Sequence, residues 1–320
     1  MRAPGAQQPT RSWHSEDERS NLFALRLMAW IALSLGRPVA RLVLLPIALY
    51  FLLAAAKARR ASASYLARVL GRPARWTEQF RHFHAYASTV LDRVYFARGQ
   101  TQAFDLQARG LEIFHAPEVQ GRGELLLGAH LGSFEALHAA SQHHPGLRVA
   151  MAMYPDNARK IQSVLAAIAP QVQQDVITIG RRDSALVIRD WLNQGSWVGI
   201  LGDRHLAEAE ERSSLVECAF LGSPTLFSEG PLRLAMLLRR RVYFMVALYR
   251  GGRRYELRFE PLADFSAPPK AQAERQILVR QALQDYVARL ESVCREAPFN
   301  WFNFHEFWST DVDGQAARVS

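Results

Sequence analysis

A histidine and a carboxylate that are suited to acid–base chemistry lie five residues apart in the stretch GAHLGSFE, residues 128–135. His130 follows an apolar run, residues 124–128, whose three leucines are typical of a buried strand. Glu135 begins an amphipathic segment for which Ser133 is the expected N-cap. Residues five apart point about 140° away from one another on a helix. We therefore expect His130 in the turn and Glu135 folded back to orient the imidazole as a general base.

The same two residues also allow plainer interpretations. A glutamate in a first helical turn is favoured by the helix dipole alone, and a histidine at a strand end is often a structural polar residue. Glu135 and His138 are three apart, as in carboxylate metal sites, but we find no further matching ligands. The residues alone leave catalysis and a structural role equally open, and they predict no metal site.

The pattern after about residue 110 predicts an α/β fold, with a mixed, mainly parallel sheet flanked by helices. Short apolar runs predict strands at 124–128, 148–154, 176–179, 197–201 and 242–249, and amphipathic segments predict helices at 134–142, 157–168, 184–193, 229–239 and 271–295. A glycine turn at 251–252 predicts a closing hairpin that reaches Phe259. Ligands of such sheets bind beyond the carboxyl ends of the strands, which is where His130 and Asp203 are expected to lie.

The N-terminal part contains a fifteen-residue apolar run, Leu42 to Ala56, that predicts attachment to a membrane. About twenty residues are needed to cross a bilayer, and Arg41 and Pro46 weaken a spanning interpretation. A tilted anchor, a re-entrant hairpin and a core helix all remain open. Basic residues at 57–60 favour a cytoplasmic position for the downstream domain. We expect an N-terminal helical segment at 1–100, with two helices within 62–96, a catalytic domain at 101–310 and a disordered tail at 311–320.

The net charge indicates what kind of partner the protein binds, and the cysteine content bears on metal sites and disulfides. Thirty-nine Lys and Arg against thirty Asp and Glu give a formal net charge of +9, which favours an anionic partner such as an acidic lipid, an acidic carrier protein or nucleic acid. The arginines are scattered and no motif for reading bases or phosphates occurs, so we do not expect nucleic-acid binding. Two cysteines, Cys218 and Cys294, make no metal or disulfide framework.

Several motifs, in order, resemble the lysophospholipid acyltransferase superfamily, in the branch that contains the late acyltransferases of lipid A biosynthesis. HLGSFE is similar to the HX4(D/E) signature of that superfamily. The resemblance covers nearly the whole chain. The other stretches that carry it are LSLGRPVAR at 33–41, SYLARVLGRP at 64–73, GILGDRH at 199–205, FLGSPTLFSEGPLRLA at 220–235 and PFNWFNFHEFW at 298–308.

The resemblance implies transfer of a fatty acyl group from an acyl carrier protein or coenzyme A thioester to a hydroxyl of a membrane glycolipid. His130 would be the general base and Glu135 its orienting partner, and the backbone amides of Gly132 and Ser133 would bind the oxyanion. The acyl thioester is a substrate, so no cofactor is expected. The implied location is the cell inner membrane, with the catalytic domain on the cytoplasmic side.

Two further blocks supply candidate substrate-binding residues through the resemblance. Asp203 and Arg204 match an acidic motif after a central strand, with Arg204 assigned to an anionic group of the substrate and Asp203 to orienting it. Glu229 and Gly230, with Arg233 three residues on, resemble a block that binds the acceptor phosphate. These residues also read as an ordinary helix start, because Pro231 follows them.

The aromatic tail, residues 299–308, leaves the acceptor open. It departs from the pattern of the lipid A enzymes and is more similar to acyltransferases of aryl polyene type lipid pathways. An aryl polyene type lipid and a lysophospholipid are therefore alternative acceptors. We expect most of the tail's aromatic side chains to pack in the core. A non-catalytic membrane scaffold is the alternative from a different class, and a His130→Ala variant would keep its function.

Overall fold

Three helices precede the sheet. The computed structural model describes residues 13–116, 119, 121–141, 147–155, 175–181, 183–204 and 214–308, without the side chains of 13–33, 138, 140 and 141. Helix α1 covers Trp13–Ala54, α2 covers Ala56–Leu70 and α3 covers Trp76–Ala97. The two helices predicted within 62–96 are confirmed as α2 and α3. They separate at Gly71, whose φ of 67° ends α2 in a left-handed cap.

Helix α1 consists of two helical parts that meet at Gly36, where φ is 80° and ψ is 164°. The predicted apolar run, Leu42 to Ala56, lies in the second part up to Ala54 and ends at the first residue of α2. Ser34–Ala54 is the one segment of the described residues that is long and apolar enough to cross a membrane. Length and composition alone do not distinguish a span from other apolar helices.

The chain after α3 is built on a seven-stranded sheet, which confirms the predicted fold class. Its strand order is β1-β9-β8-β2-β5-β3-β4, and every neighbouring pair is parallel except the β8–β9 hairpin. The strands are β1 (Asp105–Arg109), β2 (Leu125–Gly128), β3 (Val149–Met153), β4 (Val176–Thr178), β5 (Trp197–Leu201), β8 (Arg241–Tyr249) and β9 (Arg254–Asp264). A separate antiparallel pair is formed by β6 (Leu215–Phe220) and β7 (Ser223–Ser228).

Four more helices follow strands, three of them after strands of the seven-stranded sheet and one, the helix that begins at Gly230, after β7. They are α4 (Phe134–Ser141), α5 (Ser184–Asn193), α6 (Gly230–Leu238) and α7 (Gln272–Glu296). Each lies within two residues of its predicted bounds. The helix predicted at 157–168 lies outside the described residues. The sequence prediction missed β1 and the β6–β7 pair, and β9 continues five residues past Phe259.

Both faces of the central strands are buried. On one face Leu125, Leu127 and Val198 share a core with Tyr65 of α2 and Tyr286 of α7. On the other face Leu126 and Trp197 share a core with residues of α3 and α4. Strands covered on both faces carry continuous apolar runs rather than alternation. Helices α2 and α3 therefore belong to the same core as the sheet.

Candidate active site

The register of β2 and β5 places His130 beside Asp203. Gly128 at the end of β2 pairs with Leu201 at the end of β5, so both side chains come two residues beyond paired positions. The Nδ1 atom of His130 lies 2.9 Å from Oδ1 of Asp203, and the backbone N–H of His130 donates to Oδ2 at 3.0 Å. The expectation that these residues share the carboxyl edge of the sheet is confirmed.

Asp203 is a buried carboxylate, only 2% exposed. Burial by itself raises the pKa of Asp203, but the charge and hydrogen bond of His130, the charge of Arg204 and the hydrogen bond of Trp301 lower it to about 2. An ionised Asp203 only accepts hydrogen bonds, so Nδ1 of His130 carries the proton. The unprotonated nitrogen of a neutral His130 is then Nε2, on a ring whose side chain is 29% exposed. This is the tautomer that a general base needs.

Glu135 does not take the position expected for it. Its Oε1 atom lies 2.6 Å from Nε of Arg93 on α3, and its other oxygen, Oε2, accepts from the Ser133 hydroxyl at 3.4 Å. The expected contact between Glu135 and the imidazole is therefore wrong, because Asp203 occupies Nδ1 of His130. Glu135 is 7% exposed, and its charge is compensated by a neighbouring helix instead. The Ser133 hydroxyl accepts from the Ala136 N–H at 3.3 Å, which confirms Ser133 as the N-cap.

The turn between β2 and α4 also changes the expected oxyanion site. The Gly132 N–H donates to the carbonyl of Asn300 at 2.9 Å, and the Ser133 N–H donates to the carbonyl of Ala247 at 2.9 Å. Both amides are occupied by structural partners, so the expectation that they face an oxyanion is wrong. Gly132 has a φ of 76°, and a Cβ there would lie 1.7 Å from the Ala247 carbonyl oxygen. Only glycine allows the turn to pass this close to β8.

The C-terminal segment contacts both His130 and Asp203, and the sequence did not predict these contacts. The indole N–H of Trp301 donates to Oδ2 of Asp203 at 2.8 Å, and Trp301 is 1% exposed. The Phe302 N–H donates to the carbonyl of His130 at 2.9 Å. The prediction of core packing holds for Trp301 and Phe302, but it left out this polar contact. A buried tryptophan usually needs an acceptor for its N–H, so the prediction that Trp301 is buried could have indicated a polar partner for it.

A second histidine, the buried His82, contacts Trp301 from α3. Nε2 of His82 on α3 lies 2.8 Å from the Trp301 carbonyl oxygen, and Nδ1 lies 2.9 Å from the Ser62 hydroxyl. Since a carbonyl only accepts, Nε2 of His82 carries the proton and the Ser62 hydroxyl donates to Nδ1. Complete burial lowers the pKa of His82 to about 4, although the hydrogen bond to Trp301 opposes that shift. His82 is therefore neutral at physiological pH and anchors the tail to α3.

Arg204 follows Asp203 in the sequence, but within the described residues its side chain makes no hydrogen bond to the Asp203 carboxylate. Its Nη2 atom donates to the carbonyl of Phe302 at 3.0 Å, and the residue is exposed. The expected orienting contact from Asp203 to Arg204 is not what the structure shows, because the oxygens of Asp203 bind His130 and Trp301. Within the described residues only Nη2 of Arg204 donates a hydrogen bond, so the guanidinium beside Asp203 remains suited to an anionic substrate group.

The predicted phosphate-binding block forms a separate polar cluster. Glu229 is 2% exposed and pairs with Arg233 one turn later on α6. The side-chain amide of Gln276 on α7 donates to both oxygens of Glu229 at 3.1 Å. Gly230 begins α6, and its N–H donates to the Ser228 hydroxyl at 3.1 Å. Within the described residues, no hydrogen bond or ion pair joins this cluster to His130 or Asp203.

Comparisons with known proteins agree with this architecture. A family model described as bacterial lipid A biosynthesis acyltransferase matches residues 9–310. The comparison with curated proteins found no match for the chain. The match includes the turn that carries His130, the Asp203 position and the C-terminal segment that contacts them, and it confirms the resemblance noted from the motifs. The chain belongs to the bacterial lipid A biosynthesis acyltransferase family.

Proposed function

We propose that the protein is an O-acyltransferase that moves a fatty acyl group from a thioester to a hydroxyl of a lipid A-like membrane lipid, with His130 as the general base. The observation that carries the proposal is the 2.9 Å contact between Nδ1 of His130 and an Asp203 carboxylate with a low pKa. This contact leaves Nε2 as the basic atom of a ring that solvent reaches. Membership of the family supports the reaction class and the kind of acceptor.

The reaction follows from this arrangement. Nε2 of His130 removes the proton of the acceptor hydroxyl as the oxygen attacks the thioester carbonyl carbon. The tetrahedral intermediate collapses by breaking the carbon–sulfur bond, and the imidazolium returns the proton to the leaving thiolate. Asp203 stabilises the imidazolium between these steps. The backbone N–H of His130 and the indole N–H of Trp301 both donate to the Asp203 carboxylate and keep it in place. General-base assistance of this kind contributes about 10²- to 10⁴-fold.

The oxyanion requires donors other than Gly132 and Ser133. Arg204 follows Asp203 directly and uses only Nη2 in a hydrogen bond among the described residues, to the Phe302 carbonyl. We assign Arg204 to the developing oxyanion or to a phosphate of the substrate. A preorganised donor at such a position is worth about 3 kcal/mol in the transition state.

Glu135 is proposed as a positioning residue. Its ion pair with Arg93 ties the first turn of α4 to α3, and α4 begins four residues after His130. Glu229, Gly230 and Arg233 are proposed as the acceptor-phosphate site. Arg233 supports this assignment because its side chain is 45% exposed even though it pairs with Glu229.

The donor is proposed to be an acyl carrier protein or coenzyme A thioester, with no cofactor. A net charge of +9 suits either donor, because both are acidic. We place the protein at the cell inner membrane, with its catalytic part on the cytoplasmic side. The basic residues that follow α1 and the apolar second part of α1 support this placement.

The test is acyl transfer by the purified full chain in mixed micelles. The donors are acyl-acyl carrier protein and acyl-coenzyme A, the acceptors are a lipid A precursor, a lysophospholipid and an aryl polyene type lipid, and mass spectrometry detects the added acyl group. We expect transfer to the lipid A precursor and a loss of at least about 100-fold in His130→Ala and Asp203→Asn. His305→Ala, which alters an exposed histidine of the tail, is the control and retains full activity.

Three outcomes would overturn parts of the proposal. Full acyl-transfer activity of His130→Ala would show that His130 is not the base. Exclusive transfer to the lysophospholipid or the aryl polyene type lipid would refute the acceptor while leaving the base in place. Absence of transfer with every donor and acceptor would refute the acyltransferase assignment.

A further inference from the structure

The second part of α1 presents two different faces. One face is a stripe at four-residue spacing that is at most 4% exposed, formed by Ala40, Leu44, Ala48 and Leu52. The opposite face is a stripe of large aliphatic side chains that are 41–66% exposed. The members of this exposed stripe, which we call the aliphatic ridge, are Val39, Leu42, Leu45, Leu49 and Leu53. A soluble domain rarely leaves so many neighbouring aliphatic side chains uncovered.

The buried stripe packs along α3 over its whole length. Ala40 and Leu44 share a core cluster with Leu91 and Val94 of α3, and Ala48 and Leu52 share another with Phe83. The order of these contacts is reversed between the two helices, so they run antiparallel and side by side. A helix in this arrangement enters a bilayer lengthwise only if α3 enters with it.

Helix α3 is unsuited to a hydrocarbon environment. It carries an exposed arginine, Arg81, and the buried His82 and Asp92. Asp92 forms a two-pronged ion pair with Arg37 of α1, at 2.7 and 2.8 Å. Moving such charges into hydrocarbon costs several kcal/mol each. The packing therefore argues against α1 crossing the membrane with its axis along the bilayer normal.

Both ends of the second part of α1 are also fastened to the domain. At the first end Arg41 donates to the Tyr249 hydroxyl at 2.7 Å and to the Gly252 carbonyl at 3.0 Å, next to the Arg37–Asp92 pair. At the last end Arg59 donates to the carbonyls of Leu52 and Leu53 at 3.0 and 2.9 Å. Detachment of α1 as a free span would break the long-range contacts of Arg37 and Arg41 with the domain.

The surroundings of the aliphatic ridge identify its partner as a membrane surface. Lys57 and Arg60 follow the ridge directly, and Arg72 and Arg75 lie in the loop before α3; all four are exposed. Trp76, which is 56% exposed and stacks with Arg59 at 5.6 Å, lies in the same region. Exposed cations and an amphipathic aromatic ring beside an aliphatic surface suit the headgroup boundary of an anionic leaflet.

We propose that the second part of α1, residues 37–54, lies in the plane of one leaflet of an anionic membrane, with the aliphatic ridge in the acyl region and α3 on the water side. This inference rests on the proposed membrane attachment but not on acyl transfer. Amphipathic helices of this kind bury their apolar face about 5–10 Å into the boundary between headgroups and acyl chains.

The geometry also connects the membrane to the active site. Phe304 packs with Ala48, Leu52 and Phe83 beneath the ridge, while Phe302, two residues earlier, donates its N–H to the carbonyl of His130. Tyr86 of α3 contacts both rings, at 5.2 and 5.3 Å between centroids. An in-plane α1 thus keeps a continuous aromatic path between the leaflet and His130.

Depth measurements test this orientation. The full chain, in a Cys218→Ser/Cys294→Ala background, receives single cysteines at Leu42, Leu45, Leu49 or Leu53 for spin labelling. It is bound to vesicles of phosphatidylcholine and phosphatidylglycerol, and accessibility to oxygen is compared with accessibility to a water-soluble nickel chelate. We expect four similar, shallow depths. A label at Arg81 on α3 is the control and remains accessible to the nickel chelate.

A spanning helix would give a different pattern. Depth would change by about 1.5 Å per residue, so that Leu42 and Leu53 would differ by about 16 Å. That gradient, or a nickel-inaccessible label at Arg81, would overturn the in-plane orientation. Four labels that stay in water on floated vesicles would overturn the role of the ridge.

Matched substitutions test the ridge without labels. Leu42→Lys/Leu49→Lys is expected to reduce co-flotation with the same vesicles at least 10-fold. The control Leu186→Lys/Val187→Lys changes two exposed apolar side chains of α5 and should leave flotation unchanged. Equal flotation of both variants would contradict the proposal. Flotation is read independently of acyl transfer, so an inactive protein that floats, with shallow labels, keeps the orientation and refutes only the proposed reaction.

Discussion

Replacing Trp301 by phenylalanine tests whether the C-terminal segment serves the active site or only the core. The change keeps an aromatic ring among the buried neighbours of Trp301 and removes the indole N–H that lies 2.8 Å from Oδ2 of Asp203. Asp203 then retains two donors, both from His130. Within the described residues, the indole N–H is the one donor to this carboxylate that comes from outside the histidine.

The magnitude follows from the charge of the acceptor. A hydrogen bond to a charged group contributes about 1.5–3 kcal/mol. If this energy holds Asp203 against the imidazolium in the transition state, its loss lowers kcat by about 10- to 100-fold, since about 1.4 kcal/mol corresponds to a factor of ten. The KM values for donor and acceptor should change little, because Trp301 is buried and is not assigned to either substrate.

The control is Trp308→Phe. Trp308 loses the same N–H, but its partner is the Phe220 carbonyl at 3.3 Å, away from the carboxylate. Unfolding in urea and acyl transfer in mixed micelles are measured for both variants. We expect both to lose stability and only Trp301→Phe to lose kcat. Equal kcat values for the two variants would refute the positioning role of the indole.

Acid sensitivity gives a second readout of the same contact. The pKa of Asp203 is about 2 in the folded protein and 3.8 for an unperturbed aspartate. A carboxyl group with a depressed pKa contributes stability above its unfolded pKa, here about 2 kcal/mol, and loses it as the pH falls from about 4 to 2. Trp301→Phe raises the pKa of Asp203 and so reduces this acid-dependent part. An unchanged acid profile would show that the indole does not stabilise the carboxylate.

Three further predictions concern the neighbourhood of the site. The pKa of His82 is about 4 in the folded protein, below its usual 6.5. The neutral form of His82 therefore contributes about 3 kcal/mol to the free energy of unfolding above pH 6.5, and this contribution is lost as the pH falls toward 4. His82→Gln should remove this pH dependence of urea unfolding, and an unchanged pH dependence would contradict the prediction. Arg93→Ala leaves the buried Glu135 without its counter-ion and should lower the free energy of unfolding by about 3 kcal/mol. Arg93→Ala/Glu135→Gln should recover part of that loss. If the losses of the two single variants simply add in the double variant, the ion pair is disproved. Gly132→Ala should cost at least about 3 kcal/mol because its Cβ meets β8, against about 1 kcal/mol for Gly251→Ala, where the space is open; similar losses would rule out the clash.

The sheet and most helices were predictable because their signals are local. Residues 125–128 and 197–201 are apolar runs that bury both faces of the strand, and α5 and α7 have clear helical spacing. The β6–β7 pair was missed because its strands are half-buried and interrupted by Pro224. Such a strand has neither a continuous apolar run nor a strict alternation.

The position of His130 was predictable, but its partner was not. The motif places Glu135 near His130 in sequence, and a turn of this kind allows the two side chains to meet. The competing carboxylate, Asp203, is 73 residues away and is brought to Nδ1 by the parallel pairing of β2 with β5. Strand order is a non-local property, so the sequence pattern showed that both residues lie at one edge without showing that they are neighbours.

The buried polar contacts of the tail extend this reasoning to α3. His82 holds the carbonyl of Trp301 while the Trp301 indole holds Asp203, so a helix far from the catalytic turn in sequence constrains the carboxylate through one residue. Helix α3 is also the support on which the second part of α1 packs. A membrane-bound α1 therefore fixes α3 at one side, and α3 fixes the tail at the other. If these contacts link the membrane to the active site, binding to anionic vesicles should raise kcat of the wild-type protein more than kcat of His82→Gln. An equal increase in both proteins would show that membrane attachment does not act on the geometry of His130 and Asp203.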